Sequence, residues 1–442
     1  MNKKIEQFLF YLLLFCLPLQ TRLLIYAPNG DFVEWSSVFF YLTDGLILLL
    51  LASWAVGYCL GQRMEKFKFS FVDYCLGVFL VFAGLSVCVA VDKTLAVYHW
   101  LRLLELGGLF YFVKVNWQKI NWLMAGFVVV ASGLVQSVIA IGQAFIQHDL
   151  GLRWLGETVL GPYFNGIAVV PLLSGAGGPT SAGSWLRAYG TLPHPNVLAI
   201  FLVGVIAVWL MIYFSKAPGE SRDAIAGLLL VYALLLFAFY CTFSRIIIGG
   251  TTIFAVLGWL VWCFLNRHTI HWRTLFKQKT VYFLLVTFMV SLIWLGAFHL
   301  PALARLNFST DDQAITERLY YNSIGGGAVS LRPWLGVGPG NFVNWFMVTQ
   351  PDLPFWFYQP IHNFYLLLAA EVGLPALLAM LFFLGNLVFS GAAKHPGLSF
   401  NLALLLFFLF LGLFDHFFWT TQQGQLIYWL TLGYVGGRAK LL

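Results

Sequence analysis

The sequence has little charge. Asp, Glu, Lys and Arg make up 10% of its 442 residues, whereas hydrophobic residues make up 60%. A soluble domain carries about 25% charged residues, so the composition excludes an ordinary soluble fold. The chain instead repeats apolar runs of about 20 residues, the length that crosses a bilayer as a helix. The composition therefore predicts a polytopic integral membrane protein.

Cysteine is sparse too, and signatures of nucleotide or metal binding are missing. The six cysteines lie in or at the ends of apolar runs without paired spacing, which argues against a disulfide framework or a metal site. The glycine-rich residues 325–342 lack the Gly-Lys-Ser/Thr of a P-loop. We therefore expect no metal and no cofactor. These glycines are expected to form turns close to a bulky ligand or lipid.

The apolar runs predict an all-α bundle of about 12 transmembrane helices, with residues 1–442 forming a single membrane domain. The first run begins like a signal peptide but lacks a small-x-small cleavage site, so we expect a retained span or signal anchor. The predicted spans are residues 8–26, 37–60, 71–91, 95–113, 122–147, 196–215, 224–244, 246–265, 281–299, 363–390, 399–417 and 421–436.

Lysine and arginine predict the orientation, because short cytoplasmic loops hold an excess of both. With both termini inside, two long extracytoplasmic loops, residues 148–195 and 300–362, form the expected active-site region. The net charge of +7 is then mainly a topology signal, which gives nucleic-acid binding little support. The inside loops hold 16 of the 25 basic residues: Lys3, Lys4, Arg63, Lys66, Lys68, Lys114, Lys119, Lys216, Arg222, Arg267, Arg273, Lys277, Lys279, Lys394, Arg438 and Lys440.

The other basic residues are nearly all arginine. They comprise eight Arg and one Lys, against five Arg and eleven Lys inside. Arginine binds phosphate or carboxylate through a planar fork, whereas lysine is a hydrated point charge. The outer side is therefore expected to bind an anion. The nine residues are Arg22, Lys93, Arg102, Arg153, Arg187, Arg245, Arg305, Arg318 and Arg332.

The fourth span carries ionisable residues at helical spacing. His99, Arg102 and Glu105 are three residues apart and lie near one helix face. Charged side chains at membrane depth usually face the bundle interior or a wet cavity. We favour an internal ion pair that orients the helix, with Asp44 or Asp73 as the partner.

The first outer loop and the turn after span 7 present further candidates. Arg187 precedes two prolines that flank His194, and Asn196 is expected to cap the next helix. His194 either takes part in a site or fixes this turn by a backbone hydrogen bond. Arg245 lies at the tight turn between spans 7 and 8, where it either snorkels to the interface or binds a ligand.

The second outer loop is long and aromatic. Loops above roughly fifteen residues are usually functional or disordered, and the Trp and Phe content argues against disorder. Residues 311–324 predict a short amphipathic helix with Arg318 and Tyr320. Residues 345–360 are typical of an interfacial aromatic belt, although they could also stack on sugars. The loop ends at His362.

Together these features resemble the O-antigen ligase and polymerase family, bacterial integral-membrane glycosyltransferases of the GT-C type that take a glycan from undecaprenyl diphosphate. In that family a long outer loop precedes a histidine motif: His, then Asn, Ser or Gln, nine residues, Gly, two residues, and Gly, Thr or Tyr. Here His362 and Asn363 are followed by nine residues and Gly373, with Ala376 departing at the last position. The resemblance covers mainly residues 185–390.

The resemblance implies roles for individual residues. Arg187 and Arg245 look like the family's two essential arginines and would bind the donor diphosphate. His362 would act as general base on the acceptor hydroxyl, or would only orient a substrate. Weaker candidates for substrate binding are Arg318, Arg332, His194, Asn363 and Tyr320.

The implied function is glycan transfer from undecaprenyl diphosphate to an acceptor hydroxyl by a metal-independent, inverting reaction. The expected location is the bacterial cytoplasmic (inner) membrane, with the site facing the periplasm or cell exterior. An O-antigen ligase acting on lipid A-core is favoured; a polymerase of lipid-linked repeats or a protein O-oligosaccharyltransferase stays open. A transporter or flippase of lipid-linked glycan would instead predict inverted repeats, and none is evident. The expected partners are the lipid-linked donor, a lipid A-core, glycan or protein acceptor, and membrane lipid.

Overall fold

The chain folds mainly into helices, which confirms the predicted all-α polytopic class. The computed structural model describes residues 3–28, 33–59, 69–164, 166–172, 183–215, 221–265, 278–306, 313–393 and 400–439. These residues form two antiparallel strand pairs, β1 (Arg22–Tyr26) with β2 (Val38–Tyr41) and β3 (Val169–Pro171) with β4 (Ser184–Leu186). They also form the helices α1 (Lys3–Cys16), α2 (Leu42–Cys59), α3 (Phe71–Ser86), α4 (Lys93–Asn116), α5 (Trp122–Ile146), α6 (Pro195–Ser215), α7 (Arg222–Cys241), α8 (Arg245–Leu265), α9 (Gln278–Leu306), α10 (Gln313–Leu331), α11 (Phe342–Thr349), α12 (Phe364–Ala393), α13 (Phe400–Leu411), α14 (Phe417–Thr420) and α15 (Gln422–Ala439).

Every predicted span overlaps a helix, but the helices differ in whether they are long and apolar enough to cross a membrane. Among the described residues, seven are long and apolar enough by length and composition: α2, α3, α5, α6, α7, α9 and α12. The apolar parts of α8 and α13 are shorter, α1 has 14 residues, and α4 and α15 carry charged or polar side chains. The count of about twelve therefore stays a prediction. The basic residues Arg63, Lys66, Lys68, Lys216, Arg267, Arg273, Lys277, Lys394 and Lys440 lie outside the described residues.

The chain divides into two compact units. Unit 1 contains Met1–Leu13, Arg22–Ile120 and Thr310–Leu442, and unit 2 contains Leu14–Thr21 and Asn121–Ser309. The first predicted outer loop belongs to unit 2, and most of the second belongs to unit 1. The single membrane domain over residues 1–442 stays a prediction.

In unit 1, α12 packs against α3, and α15 packs against α4. Arg102 on α4 forms the predicted internal ion pair with Asp44 on α2, at 3.8 Å, and its Nε donates to Gln425 on α15 at 2.6 Å. Asp73 pairs instead with Lys114 at 2.5 Å. Buried charges are tolerated when they are paired and hydrogen-bonded. These contacts explain how α4 and α15 bury polar side chains within the bundle.

In unit 2, α5 packs against α6 and α7, and α9 packs against α7. Helix α9 is interrupted at Phe298, whose φ and ψ are −127° and 30°, three residues before Pro301. A proline removes one helical hydrogen bond and crowds the preceding turn, which accounts for the break. Phe298 is buried, and its ring lies 5.3 Å from that of Phe145 and 6.1 Å from that of Phe243.

The second outer loop is more helical than its sequence indicates. Helix α10 continues through Gly325–Gly327, so the expectation of turns is wrong for these three glycines. A Cβ on Gly325 would require the Cδ1 atom of Ile361 to shift, so glycine leaves room for this side chain at the helix contact. The expectation holds for Gly336, whose φ is 62° and whose backbone passes against that of Glu371.

Candidate functional site

His362 lies directly before α12, and its neighbour Asn363 caps that helix. The Oδ1 atom of Asn363 accepts hydrogen bonds from the backbone N–H groups of Tyr365 and Leu366, both at 3.0 Å. The side-chain amide of Asn363 donates to the carbonyl of Leu413 at 3.3 Å. Asn363 therefore ties the start of α12 to the segment that follows α13.

The same segment brings Asp415 and His416 to His362. The Nδ1 atom of His362 lies 3.6 Å from Oδ1 of Asp415, and the rings of His362 and His416 are 4.9 Å apart. His416 Nδ1 contacts the Thr420 hydroxyl at 2.6 Å, and its ring meets Trp35 edge to face. At 3.6 Å the His362–Asp415 contact is an ion-pair distance, slightly longer than an ordinary hydrogen bond. A carboxylate at Nδ1 orients an imidazole for proton transfer at Nε2.

The protonation of this cluster follows from its surroundings. Burial alone would raise the pKa of Asp415, but its interaction with His362 and the charges of His416 and Arg318 outweigh burial and hold the pKa below its usual range. Burial, with His362 and Arg318 nearby, lowers the pKa of His416 to about 3, although Asp415 opposes the shift. Asp415 is therefore ionised and His416 neutral at pH 7. Arg318, predicted as a weaker candidate, acts electrostatically on both.

The three residues could also hold a metal ion. His362, Asp415 and His416 each offer one ligand atom, and these atoms all lie within 4.8 Å of one another. Imidazole nitrogens and carboxylate oxygens are ligands of zinc and of several transition metals. The expectation that no metal takes part stays a prediction.

A buried glutamate, Glu371, links the glycine-rich segment to Trp419, which lies three residues after His416. Its Oε2 atom accepts from the backbone N–H of Gly340 at 2.7 Å and from the indole N–H of Trp419 at 2.6 Å. Its Oε1 atom accepts from the backbone N–H of Phe342 at 3.2 Å. Trp419 lies on α14, the four-residue helix that follows His416. Glu371 therefore holds α14 and its preceding turn against α12.

The glycine of the histidine motif marks a bend in α12. Gly373 has φ and ψ of 86° and 167°, inside an otherwise continuous helix. A Cβ at this position would collide with the carbonyl of Trp334. The next residue, Leu374, donates its backbone N–H to the carbonyl of Pro333 at 2.8 Å. The motif therefore needs glycine here because the segment before α11 crosses the helix.

Two other predicted residues of the second loop make contacts that support the loop. Tyr320 donates its hydroxyl to Gln350 Oε1 at 2.6 Å, and its neighbour Tyr321 donates to the carbonyl of Phe357 at 2.9 Å. Arg332 is exposed, and its Nη1 donates to the carbonyl of Val89 at 2.9 Å. Substrate binding by Tyr320 and Arg332 stays a prediction.

In unit 2, the Arg187 side chain contacts the turn of residues 242–244, which directly precedes Arg245 in the sequence. Arg187 is buried; its Nε donates to the Thr242 carbonyl at 2.7 Å, and its Nη2 donates to Oδ1 of Asn196 at 2.6 Å. The Ser244 hydroxyl donates to the same Oδ1 atom at 2.8 Å. Arg245 follows Ser244 directly and is the first residue of α8. The Arg187 side chain is thereby held at the start of α6 and at the turn before α8.

His194 fixes the turn before α6, as one of its two interpretations predicted. Its Nδ1 atom accepts from the backbone N–H of Asn196 at 3.1 Å. The predicted capping role of Asn196 is wrong, because α6 begins at Pro195 and His194 precedes it. The Asn196 side chain instead accepts hydrogen bonds from Arg187 and from Ser244, which lies in the turn of residues 242–244, hereafter the arginine turn.

Sequence analysis missed Asp415, His416 and Glu371. Asp415 and His416 interrupt the apolar run 399–417, and ionisable residues in such runs are costly and usually functional. Glu371 similarly falls within the apolar stretch between His362 and Gly373. Each of the three is an ionisable residue within an apolar stretch, which the sequence shows. That they lie near one another depends on the fold.

The fold and these side chains define a polytopic helical membrane protein with a His–Asp cluster and an arginine turn. Residues 220–381 match the family described as O-antigen ligase, a range that includes Arg245, Arg318 and His362 and ends before Asp415. The predicted resemblance to the O-antigen ligase and polymerase family is thereby confirmed. The match indicates glycosyltransferase activity of the ligase or polymerase type. No curated protein matches the chain.

Proposed function

We propose that this protein transfers a glycan from undecaprenyl diphosphate to an acceptor hydroxyl, as an O-antigen ligase acting on lipid A-core at the outer face of the cytoplasmic membrane. The observation that carries the proposal is the position of the motif histidine. His362 lies in the family-matched range, at the start of α12 and 3.6 Å from the buried carboxylate of Asp415. That pairing suits a general base rather than a helix cap, a role already filled by Asn363.

In the proposed reaction, His362 Nε2 takes the proton of the acceptor hydroxyl. As the acceptor oxygen bonds to the anomeric carbon, the bond from that carbon to the phosphate oxygen breaks, and undecaprenyl diphosphate leaves. The ionised Asp415 faces Nδ1 and stabilises the imidazolium that forms. Attack from the side opposite the leaving group inverts the anomeric centre.

Arg187 and Arg245 are proposed to bind the leaving diphosphate, on which negative charge builds. The turn that joins them lies at the start of α8, and Asn196 at this turn belongs to the first turn of α6. Helix N-termini present unpaired N–H groups and favour anions. Preorganised donors of this kind are worth roughly 3 kcal/mol each to a transition state. Two guanidinium groups then supply positive charge that a divalent ion supplies elsewhere, so the reaction is proposed to be metal-independent.

The test is an assay of the purified protein in lipid vesicles with undecaprenyl-diphosphate-linked glycan. Lipid A-core, a second lipid-linked repeat and an acceptor peptide are supplied in separate arms, and NMR of the product gives the anomeric configuration. Transfer to lipid A-core with inversion, unaffected by EDTA, is expected. Transfer only to the repeat or only to the peptide would assign the polymerase or the protein oligosaccharyltransferase instead.

The variant His362→Ala is expected to lose roughly 10²- to 10⁴-fold in rate, the usual cost of a general base. It should stay folded and bind donor, because the arginine turn is intact. His148→Ala, at an exposed histidine of the first outer loop, serves as the matched control and should keep full activity. Normal turnover by a folded His362→Ala protein would end the general-base proposal.

A further inference from the structure

The ring nitrogen of His362 that faces Asp415 makes no hydrogen bond. This Nδ1 atom is buried and has no hydrogen-bond partner among the residues that the structure describes. Its distance of 3.6 Å from Asp415 Oδ1 exceeds that of an ordinary hydrogen bond. Buried polar atoms are nearly always paired, and an unpaired one is a common sign of a bound ion or water. The side chain of His362 is 19% exposed, so a small ion can reach it.

The ring of His416 presents a second unprotonated nitrogen to the same carboxylate oxygen. Its Nε2 atom lies 4.0 Å from Asp415 Oδ1, and its Nδ1 atom lies 2.6 Å from the Thr420 hydroxyl. That hydroxyl donates its one proton to the backbone carbonyl of His416 at 3.3 Å, so its oxygen accepts from Nδ1–H. A neutral imidazole protonated at Nδ1 has its lone pair on Nε2. A lone pair therefore faces an anionic oxygen, which is a favourable arrangement only with a cation between them.

The three side chains have the separations of metal ligands. One atom from each of His362, Asp415 and His416 lies within 4.8 Å of the other two. Zinc bonds of about 2.1 Å at the tetrahedral angle place ligand atoms about 3.4 Å apart, so both contacts to Asp415 need to shorten only slightly. Metal-bound histidines usually donate their other ring N–H to an oxygen, as His416 does to Thr420.

We propose that His362, Asp415 and His416 form an inhibitory site for a divalent transition-metal ion such as Zn²⁺, bound through His362 Nδ1, Asp415 Oδ1 and His416 Nε2. This inference rests on the proposed function, in which His362 Nε2 takes the acceptor proton. A metal at Nδ1 uses the lone pair of that nitrogen, so the ring proton moves from Nδ1 to Nε2. Nε2 then has no lone pair for the acceptor proton, and transfer stops until the ion leaves. The reaction itself stays metal-independent.

The experiment titrates the untagged, purified protein in lipid vesicles with Zn²⁺, after EDTA treatment and removal of the chelator. Each rate is divided by the rate of the same protein without metal. Wild type is expected to lose roughly 10²-fold or more at saturation, the cost of a missing general base, and to recover when EDTA is added. Mg²⁺ should not inhibit, because it prefers oxygen ligands. The visible absorption of tetrahedral Co²⁺ measures binding directly, and one ion per protein is expected.

His416→Gln removes one ligand and leaves His362 in place. Its Zn²⁺ concentration for half-inhibition should rise at least about tenfold, since even the loss of an outer partner of a ligand costs that much in affinity. His148→Gln is the matched control, because this histidine is exposed on the first outer loop, and it should keep the wild-type value. Where His416→Gln folds poorly, Asp415→Asn decides through Co²⁺ binding, which should weaken by a similar factor.

Unchanged inhibition in a folded His416→Gln protein would overturn the inference, because Zn²⁺ would then act elsewhere. Absence of Co²⁺ binding to wild type, binding without inhibition, or activation by Zn²⁺ would overturn it as well. A wild-type protein that binds one Co²⁺ through these ligands but transfers no glycan in metal-free buffer would instead refute the proposed function, and the metal site would stand without it.

Discussion

The two units hold their cations in different ways. In unit 1, buried Arg102 lies in an ion pair with Asp44, and Lys114 with Asp73. In unit 2, Arg187 and Arg305 donate to backbone carbonyls of one turn. A carboxylate partner neutralises a cation, whereas a carbonyl orients it without cancelling its charge. These ion pairs of unit 1 therefore fix its helices, and the contacts of unit 2 orient the arginines that are proposed to bind an anion.

The comparison between the units is tested most strongly by replacing a planar guanidinium group of unit 2 with the ammonium group of lysine. Arg187→Lys and Arg245→Lys keep the positive charge but lose bidentate geometry, and in Arg187→Lys one ammonium cannot replace both the Nε and Nη2 contacts. Transfer is expected to fall by roughly 10²-fold, with weaker donor binding, since one such donor is worth about that much. The vesicle assay and a donor-binding measurement provide both numbers.

Arg153→Lys is the matched control for these variants, because this arginine is exposed on the first outer loop. It should behave as wild type. If either Arg187→Lys or Arg245→Lys turned over at the wild-type rate, that arginine would only anchor the protein at the membrane interface. The proposal that it binds the donor diphosphate would then be refuted.

Sequence reasoning found the parts of each site that local pattern determines. Apolar runs located the helices, and motif spacing located His362 and Gly373. It could not find Asp415, because its partner His362 lies some 50 residues away and they meet only when α12 and α13 pack. Composition also leaves the number of spans as a prediction, because α4 and α15 bury polar side chains against one another. The meeting of His362 and Asp415 depends on contacts between distant segments rather than on composition.

Substitution of Glu371 tests whether the packing of unit 1 supports His362. Glu371→Gln preserves size but weakens the acceptors for Gly340, Phe342 and Trp419. Loss of stability by about 1–3 kcal/mol is expected, because a buried donor is left unsatisfied, with a severalfold drop in transfer. Thermal unfolding in detergent and the vesicle assay measure the two effects.

Trp419→Phe isolates one of these contacts, since it removes only the indole N–H. Its effect should be smaller, and the double variant should lose less than the two single losses combined, because both remove the same hydrogen bond. Simple additivity would show that Glu371 and Trp419 act separately, and that Glu371 does not hold α14.

The smallest expected effect is a pH dependence of stability that arises from His416. Its pKa is about 3 in the folded protein and about 6.5 when unfolded, so between these values the unfolded state binds more protons. The contribution of His416 to stability should therefore be complete above about pH 6.5 and decline as pH falls toward 3. The lowered pKa of Asp415 acts in the same direction, but only below its unfolded value of about 3.9.

At pH 5 the effects of His416 and Asp415 on stability can be told apart. Asp415 is then ionised in both the folded and the unfolded state, whereas His416 is charged only in the unfolded state. In urea unfolding at pH 7 and pH 5, the change in stability on lowering the pH should be less favourable in wild type than in His416→Gln, which cannot titrate, and Asp415→Asn should keep the wild-type pH dependence. Groups that titrate elsewhere contribute equally to all three proteins and cancel in the comparison. An equal pH dependence in wild type and His416→Gln would mean that His416 is accessible to protons in the folded state, and that the cluster around His362 is wetter than its burial indicates.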